Sequence, residues 1–474
     1  MGQAPRELTP WRSAVHFFGA QVRCWRTLRR LSQATLGMKT HDSSALIGKI
    51  EKGERYPSLA LARRLDEALD TGGALERLWP QVERERAAIV APSGGSSGGQ
   101  RDLGDLGLAW LATPDAAIAL LGELWRVEVQ RRSVLGVPWV ASAFVGPTQE
   151  WLLDRKDADL HRQVGRLVGR SDVAALWAMS EAFFDAHGRC GGGYARSTLV
   201  HYLDQVVFPL LQGSYSDTVG RELMAATARL CDLCAVMSFD DGQQGLAQRY
   251  FIQGLRLAQA SGDRSLGALI LGNMSQQVHY LGDAAQAVAL AEAGYRSGLD
   301  GGSLSAAARC AAMQAQAHAL GGDQRACAQA RAVAERTLDQ AVPGDEPAWI
   351  RFFTTEKLSA EVFYMARDLG RPHDVQRLAP DVIASAGAER PRVLRITTLA
   401  ASYLPAESNS GGDVDHAAEL LCQVIHTLGS LHSSVILHEV NSVRRALAPH
   451  ATRPSVQELE HLALNHAHGP SHAL

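Results

Sequence analysis

An all-α fold is expected for this chain: a small helical head, a flexible linker, and a long stack of helix pairs. Three observations predict it. Hydrophobic residues fill 46% of 474 positions but aromatics only 6%, and this alanine- and glycine-rich composition suits closely packed helices better than a β-sandwich. The stretch Leu31–Pro57 reads as two short helices around a tight turn. From about residue 220, helix-length segments alternate with glycine-centred turns at a recurring interval.

The head comes first. Residues 1–11 show no periodicity and are expected to be loosely attached. Phe17 to Arg30 predicts the first helix, with Phe18, Val22, Trp25 and Leu28 at helical spacing. Ser32 caps the second helix, which starts at Gln33. Asp42 or Ser43 caps the third, which runs to about Lys52 and ends at Gly53, a residue free to take positive φ. Ile47 and Ile50 share its inward face, while Ser44, Ala45, Lys49 and Lys52 lie mostly on other faces. Ser58 caps a fourth helix with Leu61, Leu65 and Leu69 in a stripe, and Leu75, Leu78 and Val82 mark a fifth reaching about Ala88.

Ala91–Gln100, APSGGSSGGQ, is the composition of a flexible linker. The expected domains are therefore a head over 12–90, a linker over 91–104, a helical connecting region over 105–219 and repeats over 220–470. In the connecting region, Asp105–Arg132, Arg166–His187 and Ser197–Leu211 read as helices, the last two around Gly191-Gly192-Gly193. In the repeats the turns fall at Asp241-Gly242, Gly282-Asp283, Gly322-Asp323, Gly370-Arg371 and Gly412-Asp413. Their glycines are 40, 40, 48 and 42 residues apart.

Charge divides the chain. Between residues 12 and 64 stand 11 Arg or Lys (Arg12, Arg23, Arg26, Arg29, Arg30, Lys39, Lys49, Lys52, Arg55, Arg63, Arg64) against Asp42, Glu51 and Glu54. That is a net +8 in a chain of net −3, which leaves −11 for the remainder. A basic module joined to an acidic body is the charge pattern of a nucleic-acid-binding head. No apolar run is long enough to span a bilayer, so no membrane partner is expected. The start MGQAPRELTP has no apolar secretory core, and Arg6 occupies the place where a myristoylation motif needs Ser or Thr. Seven scattered cysteines fit a reducing, cytoplasmic setting.

Leu31-Ser32-Gln33 followed by Ile47–Ser58, IGKIEKGERYPS, resembles the helix-turn-helix of the Xre/Cro/phage-repressor family, whose usual pattern is close to LSQ, a spacer and ISRIERGERxPS. The likeness spans residues 17–70. It departs at the turn, where Thr40 replaces leucine and His41 replaces glycine. The later units resemble lengthened tetratricopeptide-like repeats. Stacked in that way, they imply an α-solenoid with a concave face. The order of parts, with the block Phe239–Asp263, resembles a group of bacterial transcriptional regulators linked to developmental or secondary-metabolite control. More distant relatives of that layout are peptide-pheromone receptors.

The resemblance implies a double-stranded DNA operator as partner. Gln33 at the second helix start would then donate to phosphate, aided by the helix dipole. Ser43 and Ser44 would reach phosphate or a base edge, Ala45 a thymine methyl, Lys49 guanine or phosphate, and Lys52 and Arg55 phosphates. A homodimer is expected, with a peptide, small molecule or protein bound by the repeats. The candidates for that role are polar first-helix residues: Asn273, Gln277, Tyr280, Gln314 and His318, along with Arg229, Gln276, Arg351 and Tyr364. The alternative is an interaction scaffold with a vestigial head.

No catalytic motif occurs, neither GxSxG, GxxxxGK[ST] nor HExxH, so an enzyme is not expected. Cys231-x-x-Cys234 lacks a second pair and reads as two buried thiols. Gly191-Gly192-Gly193 has no following Lys-Ser/Thr and reads as a turn. His461, His466, His468 and His472 cluster at the C-terminus without a designed-site pattern. No cofactor or metal is expected.

Overall fold

The computed structural model describes residues 14–90, 106–130, 137–153, 157, 160–342, 344–405 and 412–467. Arg12, the expected linker and His468 and His472 lie outside them. The fold is all-α. The only other regular pairing among the described residues is two isolated bridges, Arg162 with Tyr215 and Leu167 with Ser214. No helix of the described residues is long and apolar enough to cross a membrane.

The head holds α1 (Ala14–Leu28), α2 (Gln33–Thr40), α3 (Ser44–Glu51), α4 (Leu59–Leu69) and α5 (Ala74–Val90). Its helix starts are dictated locally. Ser32, Ser43 and Ser58 sit in extended backbone, and each side-chain oxygen accepts the N–H three residues on. Phe18, Val22, Leu36, Ile47, Leu65 and Leu75 are fully buried. Leu28, expected on the core stripe, is 52% exposed, because α1 ends there and the chain turns away through Arg30 at φ 56°.

The connecting region holds α6 (Pro114–Gln130), α7 (Val145–Leu152), α8 (Arg170–Cys190), α9 (Gly192–Tyr202), a π-helical turn (Leu203–Val207) and α10 (Phe208–Leu211). The body then runs through α11 (Asp217–Asp240), α12 (Gln244–Ser261), α13 (Arg264–Tyr280), α14 (Ala284–Asp300), α15 (Leu304–Leu320), α16 (Gln324–Asp339), α17 (Thr355–Asp368), α18 (Pro372–Ala384), α19 (Glu389–Ser402) and α20 (Val414–Leu428). It closes with α21 (Ser434–Leu447) and α22 (Pro454–Ala467).

All five expected turns join the two helices of a pair, from α11/α12 to α19/α20. The Gly-Asp signature has a double cause. Gly282 and Gly322 end one helix at φ 89° and 76°, and Asp283 and Asp323 then cap the next by accepting the N–H of Gln286 and Ala326. The turns between pairs at Gly262-Asp263 and Gly302-Ser303 use the same chemistry. First helices stack on one another, α13 on α15 and α15 on α17. Alanines 306, 308, 311, 312 and 315 of α15 are fully buried, which permits that close stacking.

Two sequence expectations change. Asp105–Arg132 is not one helix, since α6 begins only at Pro114. One face of α12 captures the preceding backbone instead. Arg249 Nε donates to Leu106 O at 2.8 Å, Gln253 Nε2 to Gly107 O and Ala109 O at 2.8 and 3.0 Å, and Arg256 Nε to Leu111 O at 2.6 Å. Carbonyls held that way are withdrawn from a helix ladder. The triple glycine is not a three-residue turn: Gly191 alone separates α8 from α9, and Gly192 and Gly193 open α9, which therefore starts earlier than the expected Ser197. The segment is also a point of close approach. A Cβ on Gly191 would stand 2.5 Å from His432 O, and one on Gly192 would stand 2.3 Å from Met237 O. Cys231 and Cys234 are both fully buried in α11.

Candidate nucleic-acid interface

The placement of α3 rests on a buried carboxylate. Glu51, 2% exposed, accepts Arg26 Nε at 2.5 Å and Nη2 at 3.1 Å from α1. It also accepts Gln33 Nε2 at 2.7 Å from α2. One residue thus orients three helices. Glycine at 19 lets α1 cross close, since a Cβ there would lie 2.2 Å from Ile50 O. Arg64 holds the turn between α2 and α3, donating to Thr40 O at 2.8 Å and the Asp42 carboxylate at 2.9 Å.

Ser43, Ser44, Ala45, Lys49, Lys52 and Arg55 are all exposed, so α3 and its flanks form one open surface. Ser43 Oγ accepts Leu46 N–H at 3.1 Å as the cap, and its hydroxyl proton remains available to donate. Gln33 is half-buried, and one amide hydrogen is committed to Glu51. Of the three acids near this surface, Asp42 and Glu51 are paired internally with Arg64 and Arg26. Lys39, Lys49, Lys52 and Arg55 remain exposed beside Glu54, and the surface is left positive.

The departures from the family pattern at the turn are accommodated at a cost. His41 adopts φ 57°, ψ 35°, a left-handed conformation that glycine takes without penalty. Thr40, fully buried, satisfies its hydroxyl on Leu36 O at 3.1 Å. His41→Gly is expected to stabilise the turn by about 1 kcal/mol. Amide exchange of α2 and α3 in the full chain would slow about fivefold. Unchanged exchange would mean that the left-handed turn carries no strain.

The structure brings Arg229, Asn273 and Gln276 to one cavity and disperses the other repeat candidates. Asn273 is 7% exposed and lines a cavity in the body. Gln277 is 1% exposed and turns inward, its Nε2 donating to Gln244 O and Oε1 at 2.9 Å each. Tyr280 lies at the head, with the Arg77 guanidinium 4.7 Å from its ring centre. Gln314 and His318, half-buried on α15, lie outside the cavity that Asn273 lines. The head's seat on the body escaped sequence reasoning. Arg77 Nε donates to Tyr280 O at 2.6 Å, and Glu76 bonds Arg445 at 2.7 Å. Both lie on a helix whose apolar stripe is the only feature that the sequence displays.

Residues 18–79 match the family described as Helix-turn-helix domain. The head is a helix-turn-helix domain. No curated protein and no solved structure matches the chain. A domain of this type points to a DNA-binding regulator, and the positive, open face of α3 is where that ligand would lie.

Proposed function

We propose that the chain is a cytoplasmic, sequence-specific, DNA-binding transcriptional regulator that acts as a homodimer, and that it is not an enzyme. The head over 12–90 reads the operator. The linker over 91–104 and the connecting region over 105–219 join it to a body over 220–470 that dimerises and senses an effector. The body's tetratricopeptide-like character and the link to developmental or secondary-metabolite control rest on the resemblance of layout. The observation that carries the reading is the capped, buried-backed helix α3 with Ser44, Ala45 and Lys49 open on its free side and Lys52 and Arg55 open just beyond its end.

Short side chains at Ser44 and Ala45 leave direct base contacts sparse, so groove shape and bridging water carry part of the specificity. Two heads on a two-fold axis require half-sites about one helical turn, roughly 34 Å, apart. The experiment is recovery of genomic DNA on the purified full-length chain at about 150 mM salt. A recurrent inverted repeat is expected. Lys49→Ala should weaken binding by about 1–3 kcal/mol and relax preference at one base position. Arg55→Ala should weaken all sequences alike and lower the salt slope by about one. If both variants bind like the parent at every salt concentration, α3 is not the docking helix.

A further inference from the structure

The body carries a cavity of about 500 Å³, open to solvent on one side, lined by α8, the first helices α11, α13, α15 and α17, and the start of α19. That volume suits a small organic ligand. Its lining is basic, with six Arg or Lys side chains against three carboxylates. Asp232, Asp240 and Glu361 offset Arg229, Arg390 and Lys357, which leaves Arg189, Arg309 and Arg395 against Asp185 and Glu356.

Arg229, Arg309 and Arg395 are 4%, 7% and 4% exposed, and guanidinium groups this buried call for paired acceptors. The protein supplies too few. Arg229 Nη1 bonds Asp232 Oδ2 at 2.7 Å. Arg309 Nη2 reaches only the Asn273 amide oxygen, at 2.6 Å, and Asn273 Nδ2 donates on to Asp232 Oδ1 at 2.7 Å. One carboxylate therefore serves two guanidinium groups. Arg229 Nε, Arg309 Nη1 and Arg395 Nε are buried without a hydrogen-bond partner. Burial, with the charge of Arg309 beside it, pushes the Arg229 pKa down, opposed by Asp232.

Beside these cations stands an apolar wall. Phe184 is 36% exposed, its ring 5.4 Å from that of Phe352, and the Arg229 guanidinium lies 5.5 Å from the Phe184 ring. Surplus positive charge next to an open aromatic pair selects a ligand with one acidic end and one flat apolar end.

We propose that this cavity binds a small aromatic carboxylic acid, with its carboxylate between Arg229 and Arg309 and its ring against Phe184 and Phe352. The inference deepens the effector-sensing reading above and rests on it for biological meaning only. Binding to the cavity is measured without DNA.

The test is calorimetric titration of the full-length protein with 2-naphthoate, neutral 2-naphthamide and inorganic phosphate. Naphthoate should bind, and naphthamide should bind about tenfold more weakly or worse. Arg309→Met should lose about tenfold in naphthoate affinity, with Arg309→Lys recovering part. Phe184→Ala, a change at a position 36% exposed, should weaken naphthoate about tenfold while the thermal midpoint stays near that of the parent. Naphthamide binding as tightly as naphthoate, phosphate alone binding as tightly, no binding at all, or Phe184→Ala and Arg309→Lys both behaving as the parent would each overturn the proposal. Naphthoate binding that leaves operator affinity unchanged supports the cavity assignment and removes the effector role alone. Absence of DNA binding both with and without naphthoate, with naphthoate binding intact, removes the regulator reading and leaves the cavity.

Discussion

Asp240→Ala is expected to destabilise the body by about 3–5 kcal/mol, because it leaves buried partners without their counter-charge. Asp240 is fully buried at the end of α11. Its Oδ1 accepts Arg390 from α19, with Nε at 3.0 Å and Nη2 closer, and Ser433 Oγ at 2.7 Å before α21. Its Oδ2 accepts Gly192 N–H at 2.8 Å, at the start of α9, and lies 3.5 Å from His187 Nε2 of α8. One carboxylate thus binds elements up to 193 positions away in the chain. An exposed pair offers the contrast. Arg331 and Glu335 are 47% and 43% exposed, and Arg331→Ala should cost less than about 0.5 kcal/mol.

The same cluster sets a pH dependence. Burial raises the Asp240 pKa, but Arg390 and His187 outweigh it and hold the carboxyl far below its ordinary range. A group depressed in the folded state stabilises it above the unfolded value, near 4, and that stability is lost as pH falls below it. His187 is lowered by burial and by Arg390 and Arg229 against the pull of Asp240. It binds a proton less readily when folded, so as pH falls below about 6.5 the unfolded chain takes up more proton than the folded chain. Urea midpoints of the full chain should therefore fall in two stages, from about pH 6.5 and again below about pH 4. In Asp240→Ala the lower stage should shrink. A midpoint unmoved by Asp240→Ala would show that the cluster carries no net stability.

Gly282→Ala is expected to loosen the head from the body, and Gly322→Ala is not. Both glycines occupy equivalent turns at positive φ, so alanine brings about 1 kcal/mol of backbone strain to each. Only at 282 would the new Cβ meet the head, 2.7 Å from Ala74 Cβ, whereas at 322 nothing lies within 4 Å. Displacing Ala74 also pulls Arg77 from Tyr280 O and from the Tyr280 ring, contacts worth about 1.5–3 and 0.5–2 kcal/mol respectively. Amide exchange across Leu75–Trp79 should rise about tenfold or more in Gly282→Ala and stay unchanged in Gly322→Ala. Equal behaviour of the two variants would remove the docked head. Acid should act in the same direction. Burial and the Arg77 charge push His438, at this interface, down to about 4, against the pull of Glu439 and Glu76. Undocking frees it to titrate nearer 6.5, so docking weakens as pH falls from about 6.5 towards 4.

The legible part of the molecule was local. Ser32, Ser43 and Ser58 cap helices because the acceptor and the orphan N–H are three residues apart on one strand of sequence. The Gly-Asp turns follow from the same short-range geometry, a left-handed stop followed by a cap. Ile47 and Ile50 inward, with Lys49 and Arg55 exposed, followed from helical period and charge. Periodicity failed where a distant group claimed the backbone. Leu106–Leu111 has a helix-like apolar pattern, but Arg249, Gln253 and Arg256, more than 140 positions away, hold its carbonyls.

Polarity misled for a related reason. Asn273, Gln277 and Tyr280 read alike along α13. Gln277 is spent on Gln244, Tyr280 seats the head, and only Asn273 joins the arginine cluster at the cavity. Sequence by itself determined the helices of the head with their serine caps, the Gly-Asp turns of the body and the basic head, since these depend on contacts within about four residues or on composition. Tertiary structure alone decided where the head sits, what Asp240 ties together and which arginines are left short of acceptors. Each of these depends on side chains brought together from segments far apart in the chain.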